Sequence, residues 1–207
     1  MTTETSIGGL AVILLAAIIT NNILLSKFLG MCSFIAISRK MRTAVGMGLA
    51  VTFVTFCTAM INYGIYYGVL VENAPLCRTD LSHLTFVVFI MLIAAFVQFV
   101  EMVIERFSPV LYINLGIYLP LITVNCAILG VNLFMIDPDK NFNFAQTATY
   151  GLGSGIGWLL AIVLMAGIRA RLEEADIPRP LRGLGITMIV TGLMALAFMG
   201  FTGVVDL

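Results

Sequence analysis

Long apolar stretches separated by short polar segments run along almost the whole chain. A helix that crosses the bilayer core needs about 20 apolar residues, and the pattern predicts six such spans. They lie at residues 7–38, 44–71, 82–104, 109–136, 145–168 and 183–205. Few residues remain for another domain, so we predict one all-α, multi-pass integral membrane domain over residues 1–207. A nucleotide, a flavin or a water-soluble substrate would then have to bind to another chain.

The composition agrees with a membrane protein. Hydrophobic residues make up 60% of the chain and charged residues 11%, which is too little polar surface for a soluble domain. Eleven basic residues balance eleven acidic ones, so no basic face is available for nucleic acid. The apolar run that starts near Ile7 has neither a basic segment before it nor a clear cleavage site. We therefore expect a retained first span and not a removed signal peptide.

The basic residues predict the orientation in the membrane, because they concentrate on the cytoplasmic side of a bilayer protein. One side of the predicted topology carries Arg39, Lys40, Arg42, Arg106, Arg169, Arg171, Arg179 and Arg182. The other side carries only Arg78 and Lys140. Both termini are therefore predicted to lie on the outer side, which is the periplasm in a bacterium with two membranes.

The six spans divide into two sets of three, at about 7–104 and 109–205. An odd number of spans per half makes the second half enter the membrane in the opposite direction. The halves share weak sequence similarities, such as a Gly-Met-Gly segment at 46–48 and a Gly-Leu-Gly segment at 151–153, each at the start of a span. We predict two inverted three-helix repeats, an arrangement that places its site near the bilayer midplane in broken helices.

The first and fourth spans contain residues that an ordinary membrane helix avoids. These are Asn21, Asn22, Lys27 and Gly30 in the first span, and Asn114, Gly116, Pro120 and Asn125 in the fourth. Proline removes a backbone donor and clashes with the preceding turn, so a break is expected near Pro120. Free backbone groups are tolerated at membrane depth only where protein or a site satisfies them. Helices 1 and 4 are therefore predicted to be broken.

Each broken span carries one cysteine, Cys32 in the first and Cys126 in the fourth. Thiolates suit iron–sulfur clusters, zinc and cuprous copper, and a buried thiolate is costly unless a metal neutralises it. An iron–sulfur cluster usually takes four ligands, so a partner subunit would have to supply two more. The alternative is that both cysteines are small hydrophobic packing residues.

The other candidates have simpler interpretations. Cys57 is assigned to packing in an unbroken span, and Cys77 to an incidental thiol in an outer loop. The glycines of the segment 151–157 lack the spacing of a nucleotide-binding loop and instead form small-xxx-small pairs for helix packing.

Among the polar residues, Glu101 and Glu105 near a span end are expected to snorkel or to pair with Arg106 or another basic loop residue, and a role in ion transfer is the alternative. Lys27 is expected to need a partner within the membrane. His83, at an outer span end, is expected to be a polar anchor.

Five segments carry a family resemblance that runs nearly end to end: residues 27–32 (KFLGMC), 97–102 (VQFVEM), 115–127 (LGIYLPLITVNCA), 150–158 (YGLGSGIGW) and 181–187 (LRGLGIT). With these segments the chain resembles two related groups of bacterial membrane subunits. One is the E subunit of the sodium-translocating NADH:quinone oxidoreductase (Nqr), and the other is the A subunit of the Rnf ferredoxin:NAD oxidoreductase. Residues 150–158 and 181–187 are more similar to the first group. Asn21-Asn22 with Lys27, and residues 108–112, are more similar to the second. We favour the first.

The resemblance implies a fold of six spans that pairs with a homologous subunit of opposite orientation, the Nqr D or Rnf E type, in a six-subunit redox complex. Each partner would contribute two cysteines to a shared intramembrane [2Fe-2S] cluster, and the ligands in this chain would be Cys32 and Cys126. Flavins and NADH would bind to other subunits. Electron transfer through the cluster would be coupled to sodium translocation. A secondary transporter with inverted repeats and a structural anchor for a redox assembly are the rival functions.

Overall fold

A computed structural model of the chain describes residues 7–70, 84–107, 119–137, 142–176, 178 and 181–201. All regular structure in these ranges is helical, as predicted, without a strand. The helices are α1 (Ile7–Leu15, continued by a π-helical turn at Ala16–Thr20), α2 (Met31–Ile37), α3 (Met41–Ile65, continued by a π-helical turn at Tyr66–Leu70), α4 (Thr85–Phe107), α5 (Leu119–Thr123), α6 (Cys126–Phe134), α7 (Phe144–Leu172) and α8 (Leu184–Met199).

Three of the predicted spans appear as helices that are long and apolar enough to cross a membrane. They are Met41–Leu70, Thr85–Arg106 and Phe144–Leu172. At 1.5 Å per residue, the 29 residues of α7 extend over about 44 Å, which exceeds the bilayer core of about 30 Å. The other three predicted spans contain shorter apolar helices at Gly8–Thr20, Pro120–Phe134 and Leu184–Met199. Six crossings, the inverted repeats and periplasmic termini therefore stay predictions.

The chain leaves helical geometry in the first and the fourth predicted spans. In the first, residues 21–30 separate the π-helical turn from α2. In the fourth, Val124 and Asn125 separate α5 from α6. This second break agrees with the one expected near Pro120. Pro120 is the second residue of α5, and further along the chain the Asn125 side chain accepts a hydrogen bond from the Ala127 N–H as the N-cap of α6.

Glycines on two faces of α7 form the centre of the fold. Gly151 and Gly155 face α3, where a Cβ atom on Gly155 would lie 2.7 Å from Thr52 Cα. Gly153 and Gly157 face α1 and its π-helical turn, where their Cβ atoms would come within about 3 Å of the backbone carbonyl oxygens of Leu14 and Ala17. Small residues let helix backbones approach closely in a membrane. The predicted packing role of this segment is therefore confirmed.

Substitution of Gly155 with alanine is expected to destabilise the protein, because the added carbon meets the α3 backbone and not a flexible side chain. Overpacking of this kind costs about 1–3 kcal/mol. The matched control is Gly192→Ala in α8, where a Cβ atom would have no neighbour within 4 Å. The control should leave stability unchanged or raise it by up to about 1 kcal/mol. Thermal unfolding in detergent measures both, and equal losses for the two variants would contradict this packing.

Large apolar side chains cover much of the outer surface. Met91 of α4 is 67% exposed, and Leu196 of α8 is 66% exposed. Polar side chains lie inside instead. Asn62 of α3 donates a hydrogen bond to Asn132 of α6 at 2.8 Å, and both side chains are completely buried. An apolar exterior around a hydrogen-bonded polar interior suits a chain whose solvent is lipid.

Candidate functional site

Asn22 organises the first break. Its side-chain nitrogen donates to the carbonyl of Gly157 at 2.8 Å and to that of Ile18 at 3.0 Å. Its side-chain oxygen accepts from the backbone N–H groups of Leu24 at 3.1 Å and Leu25 at 3.4 Å. Asn22 is completely buried. One side chain therefore satisfies backbone groups that the break would leave without partners, and it also fixes the break to α7.

Gly30 ends the break and begins α2. Its φ angle of +83° is in the left-handed region, which glycine adopts without steric cost. A Cβ atom here would lie 2.9 Å from both Asn125 Oδ1 and Trp158 Nε1. The position is therefore restricted to glycine both by its backbone conformation and by its neighbours.

The two breaks meet at a sulfur atom. The backbone N–H of Gly30 donates a hydrogen bond to the Cys126 thiol sulfur at 2.9 Å. On the other side, Asn125 is the N-cap of α6, and its side-chain oxygen accepts from the Ala127 N–H at 3.1 Å. Cys126 is the first residue of α6, and Cys32 is the second residue of α2. The structure thus brings Cys126 to the start of the helix that carries Cys32.

The two cysteines differ in exposure. Both are free thiols; Cys32 is exposed and Cys126 is partly buried. Cys57 is also free, but it lines an apolar groove of about 600 Å³ between α3 and α4. Cys77 lies outside the described residues. No group of three or more cysteine, histidine or acidic side chains is close enough to hold a metal ion within the part of the chain that the structure describes.

Two buried donors beside Gly30 have no hydrogen-bond partner among the described residues. They are the side-chain nitrogen of Asn125 and the indole nitrogen of Trp158, in residues that are 2% and 1% exposed. Orphaned buried polar groups are uncommon and call for an explanation. Buried donors without a protein partner, close to a free thiol, are chemically compatible with a bound group that accepts hydrogen bonds and is ligated by sulfur.

Several of these partners were not predicted from the sequence. The Asn62–Asn132 pair was not singled out, although an asparagine within an apolar stretch is itself a signal. Trp158 had no expected role beyond the resemblance. Arg169 of α7 was used only for orientation, yet it donates to the Ser38 hydroxyl at 2.8 Å and to the Ile35 carbonyl at 3.0 Å, at the end of α2.

Other polar candidates have the following positions. The ammonium of Lys27 lies 5.7 Å from the centre of the Phe134 ring, a cation–π contact that supplies a partner for this lysine. Lys27 is exposed, and because the chain around it is not helical, its depth does not follow from counting residues. Glu101 is half-buried, whereas Glu105 and Arg106 are exposed at the end of α4. His83, Asn114 and Gly116 lie outside the described residues.

Comparison with known proteins finds one family of membrane subunits. Residues 10–205 match the family described as "Rnf-Nqr subunit, membrane protein". The chain is 54% identical over 188 residues to the E subunit of the Na⁺-translocating NADH-quinone reductase of Serratia proteamaculans, covering 91% of this chain and 94% of that protein. The corresponding E subunits of Haemophilus influenzae (53% identity, 91% and 94% coverage) and Hahella chejuensis (49% identity, 93% and 96% coverage) are similarly related.

Proposed function

This chain belongs to the Rnf-Nqr family of membrane subunits, and we propose that it is the E-type subunit of a sodium-translocating NADH:quinone reductase. About 50% identity over more than nine-tenths of the chain to proteins of that name supports the quinone-reductase assignment. The Rnf subunit stays the alternative, because the family description names both groups. In this role the chain is a subunit of a redox-driven translocase in the bacterial inner membrane. Sodium translocation would be a property of the whole complex.

We further propose that Cys32 and Cys126 provide half of the ligands of an intramembrane [2Fe-2S] cluster. The observation that carries this proposal is the meeting of the two broken segments, where the Gly30 N–H contacts the Cys126 sulfur at 2.9 Å. Thiolate sulfur is the donor that iron–sulfur clusters require. The two unpartnered N–H donors of Asn125 and Trp158 fit an acceptor that the protein alone does not supply. These residues are compatible with the cluster.

When bound, a [2Fe-2S] cluster would accept and release single electrons, and so would provide a relay between carriers on other subunits. The protein's own task would be to hold the thiols in place and to keep water away. Asn22 and Asn125 satisfy the open backbone at the two breaks. Gly30 provides an N–H beside Cys126, and such contacts to sulfur tune a metal site. Buried Trp158 closes the site on the α7 side.

The exposure of Cys32 supports a partner subunit. A thiol that projects from this chain can ligate a cluster only if another surface covers it, and a cluster with four cysteine ligands needs two more than this pair provides. We propose that a homologous subunit of opposite orientation supplies them, as the resemblance implies. The outward position of Cys32 and the inward position of Cys126 would then place the cluster at the interface.

Iron and acid-labile sulfide analysis of the purified complex tests the proposal. We expect iron and sulfide in equal amounts, beyond those that the other subunits account for. A secondary transporter should contain neither at this site, so their absence would favour that rival function. A structural anchor would also lack them, but would still be required for assembly of the redox complex.

A further inference from the structure

A polar cavity lies at the end of the bundle opposite to the start of α7. It has a volume of about 530 Å³, between the end of α2, the end of α7 and the start of α8. Its lining includes three arginines and one acidic residue, namely Arg39, Arg169, Arg182 and Glu173. Three guanidinium groups against one carboxylate make the cavity positively charged. The site proposed for the cluster uses none of these residues.

Some N–H groups of the Arg169 guanidinium have no hydrogen-bond partner among the described residues. One of its terminal nitrogens is occupied by Ser38 and Ile35. The other nitrogens of the guanidinium make no hydrogen bond to any residue within the described ranges. Arg39 and Glu173 lie close enough to interact with its charge, whereas the side chains of Arg39 and Arg182 are exposed. A guanidinium group with free donors matches the oxygen atoms of a phosphate group.

An apolar groove lies beside the cavity. Its lining lies on one side of α7 and is apolar except for Arg171; Leu172 lines both the groove and the cavity, and the other lining residues are Val163, Leu164, Gly167 and Ile168. A charged head and an apolar chain could therefore be held side by side at the end of a membrane helix. Basic pockets between membrane helices bind the head groups of anionic lipids. A soluble anion would gain nothing from the groove.

We propose that this cavity binds the phosphate of an anionic phospholipid, with an acyl chain in the groove next to it. The charge of the cavity selects a lipid with net negative charge, since the choline group of a zwitterionic lipid would be repelled by the arginines. Glu173 opposes the anion and so limits the affinity. Because this site is independent of the cysteines, its test does not depend on the proposed cluster.

Photo-crosslinking provides the test, in the complete complex extracted with its accompanying subunits. A photoactivatable phosphatidylglycerol is titrated, and labelling of this chain is quantified by mass spectrometry of its peptides. We expect saturable labelling near residues 163–172, and little from the matching phosphatidylcholine. Each arginine near a lipid head group is worth about 1 kcal/mol. The double variant Arg39→Gln with Arg182→Gln should therefore raise the half-labelling concentration about thirtyfold.

Two further variants distinguish a loss of lipid binding from a loss of structure. Arg42→Gln, at an exposed arginine of α3 that does not line the cavity, should leave labelling unchanged. Glu173→Gln should lower the half-labelling concentration, a gain that misfolding cannot produce. Arg169 is left intact because it joins α7 to α2.

Three results would overturn the proposal. The first is equal labelling of the wild-type chain and the double variant. The second is displacement of the lipid by inorganic phosphate as fully as by unlabelled phosphatidylglycerol, which would make a soluble anion the ligand. The third is that the wild-type chain is not labelled, while the double variant loses an accompanying subunit from the complex. In that case an acidic protein surface would occupy the cavity.

Discussion

Replacing Cys32 or Cys126 with alanine is expected to remove the spectroscopic signal of the proposed intramembrane [2Fe-2S] cluster, together with the iron and sulfide of that cluster. Each substitution deletes one of the sulfur ligands, and no other cysteine in the described part of the chain lies at the two breaks. Electron paramagnetic resonance of the reduced complex measures the loss. The matched control is Cys57→Ala, since Cys57 lines the α3–α4 groove. It should keep the full signal, and Cys77→Ala should behave in the same way.

Cys32→Ala and Cys126→Ala should lose the same electron paramagnetic resonance signal, but they should differ in protein stability. Cys126 accepts the Gly30 N–H, so Cys126→Ala leaves that donor unpaired at a cost of about 1–3 kcal/mol. Cys32 is exposed in this chain, so Cys32→Ala should cost this chain little. Retention of the signal in Cys32→Ala, or equal loss in Cys57→Ala, would refute the ligand assignment.

Replacing Asn22 with alanine is expected to produce the largest loss of stability among the substitutions considered. It would leave the N–H groups of Leu24 and Leu25 and the carbonyl of Gly157 without the partner that Asn22 provides. Each buried group without a partner costs about 1–3 kcal/mol, and the total is expected to reach about 3–5 kcal/mol. Thermal unfolding of the purified protein in detergent would measure this loss.

Asn21→Ala is the matched control for Asn22. The two residues are adjacent, but the side chain of Asn21 is only partly buried and makes no hydrogen bond to a described residue. The control should therefore change the unfolding temperature little. If the two variants behaved alike, the hydrogen bonds of Asn22 would not be what holds the first break together.

The sequence was sufficient to predict the helical class and the two breaks. Asn22, Gly30 and Asn125 stand out because polar or flexible residues are costly inside an apolar stretch. The packing role of Gly151 and Gly155 also followed from their spacing, since residues four apart share a helix face. In these cases a local pattern and its physical cost identify the feature without a structure.

The meeting of Gly30 with Cys126 could not be predicted in the same way. It joins residues 96 positions apart, and it depends on how α7 brings Trp158 against Gly30. The sequence predicted a break near Pro120, but not the residue at which the helix stops and starts again. That position depends on the cap formed by Asn125 and not on proline alone. The further ligands expected from a partner are encoded in another chain.

The close contact of α3 with α7 has a mechanical consequence. Where Gly155 lies against Thr52, sliding one helix along the other would drive Cβ atoms into main-chain atoms, and tightly packed elements resist such gradual deformation. Asn22 also joins the first break to Gly157 of α7 by a hydrogen bond. A rearrangement that keeps this packing intact would move a helix with few contacts to it, and α8 is such a helix among the described elements.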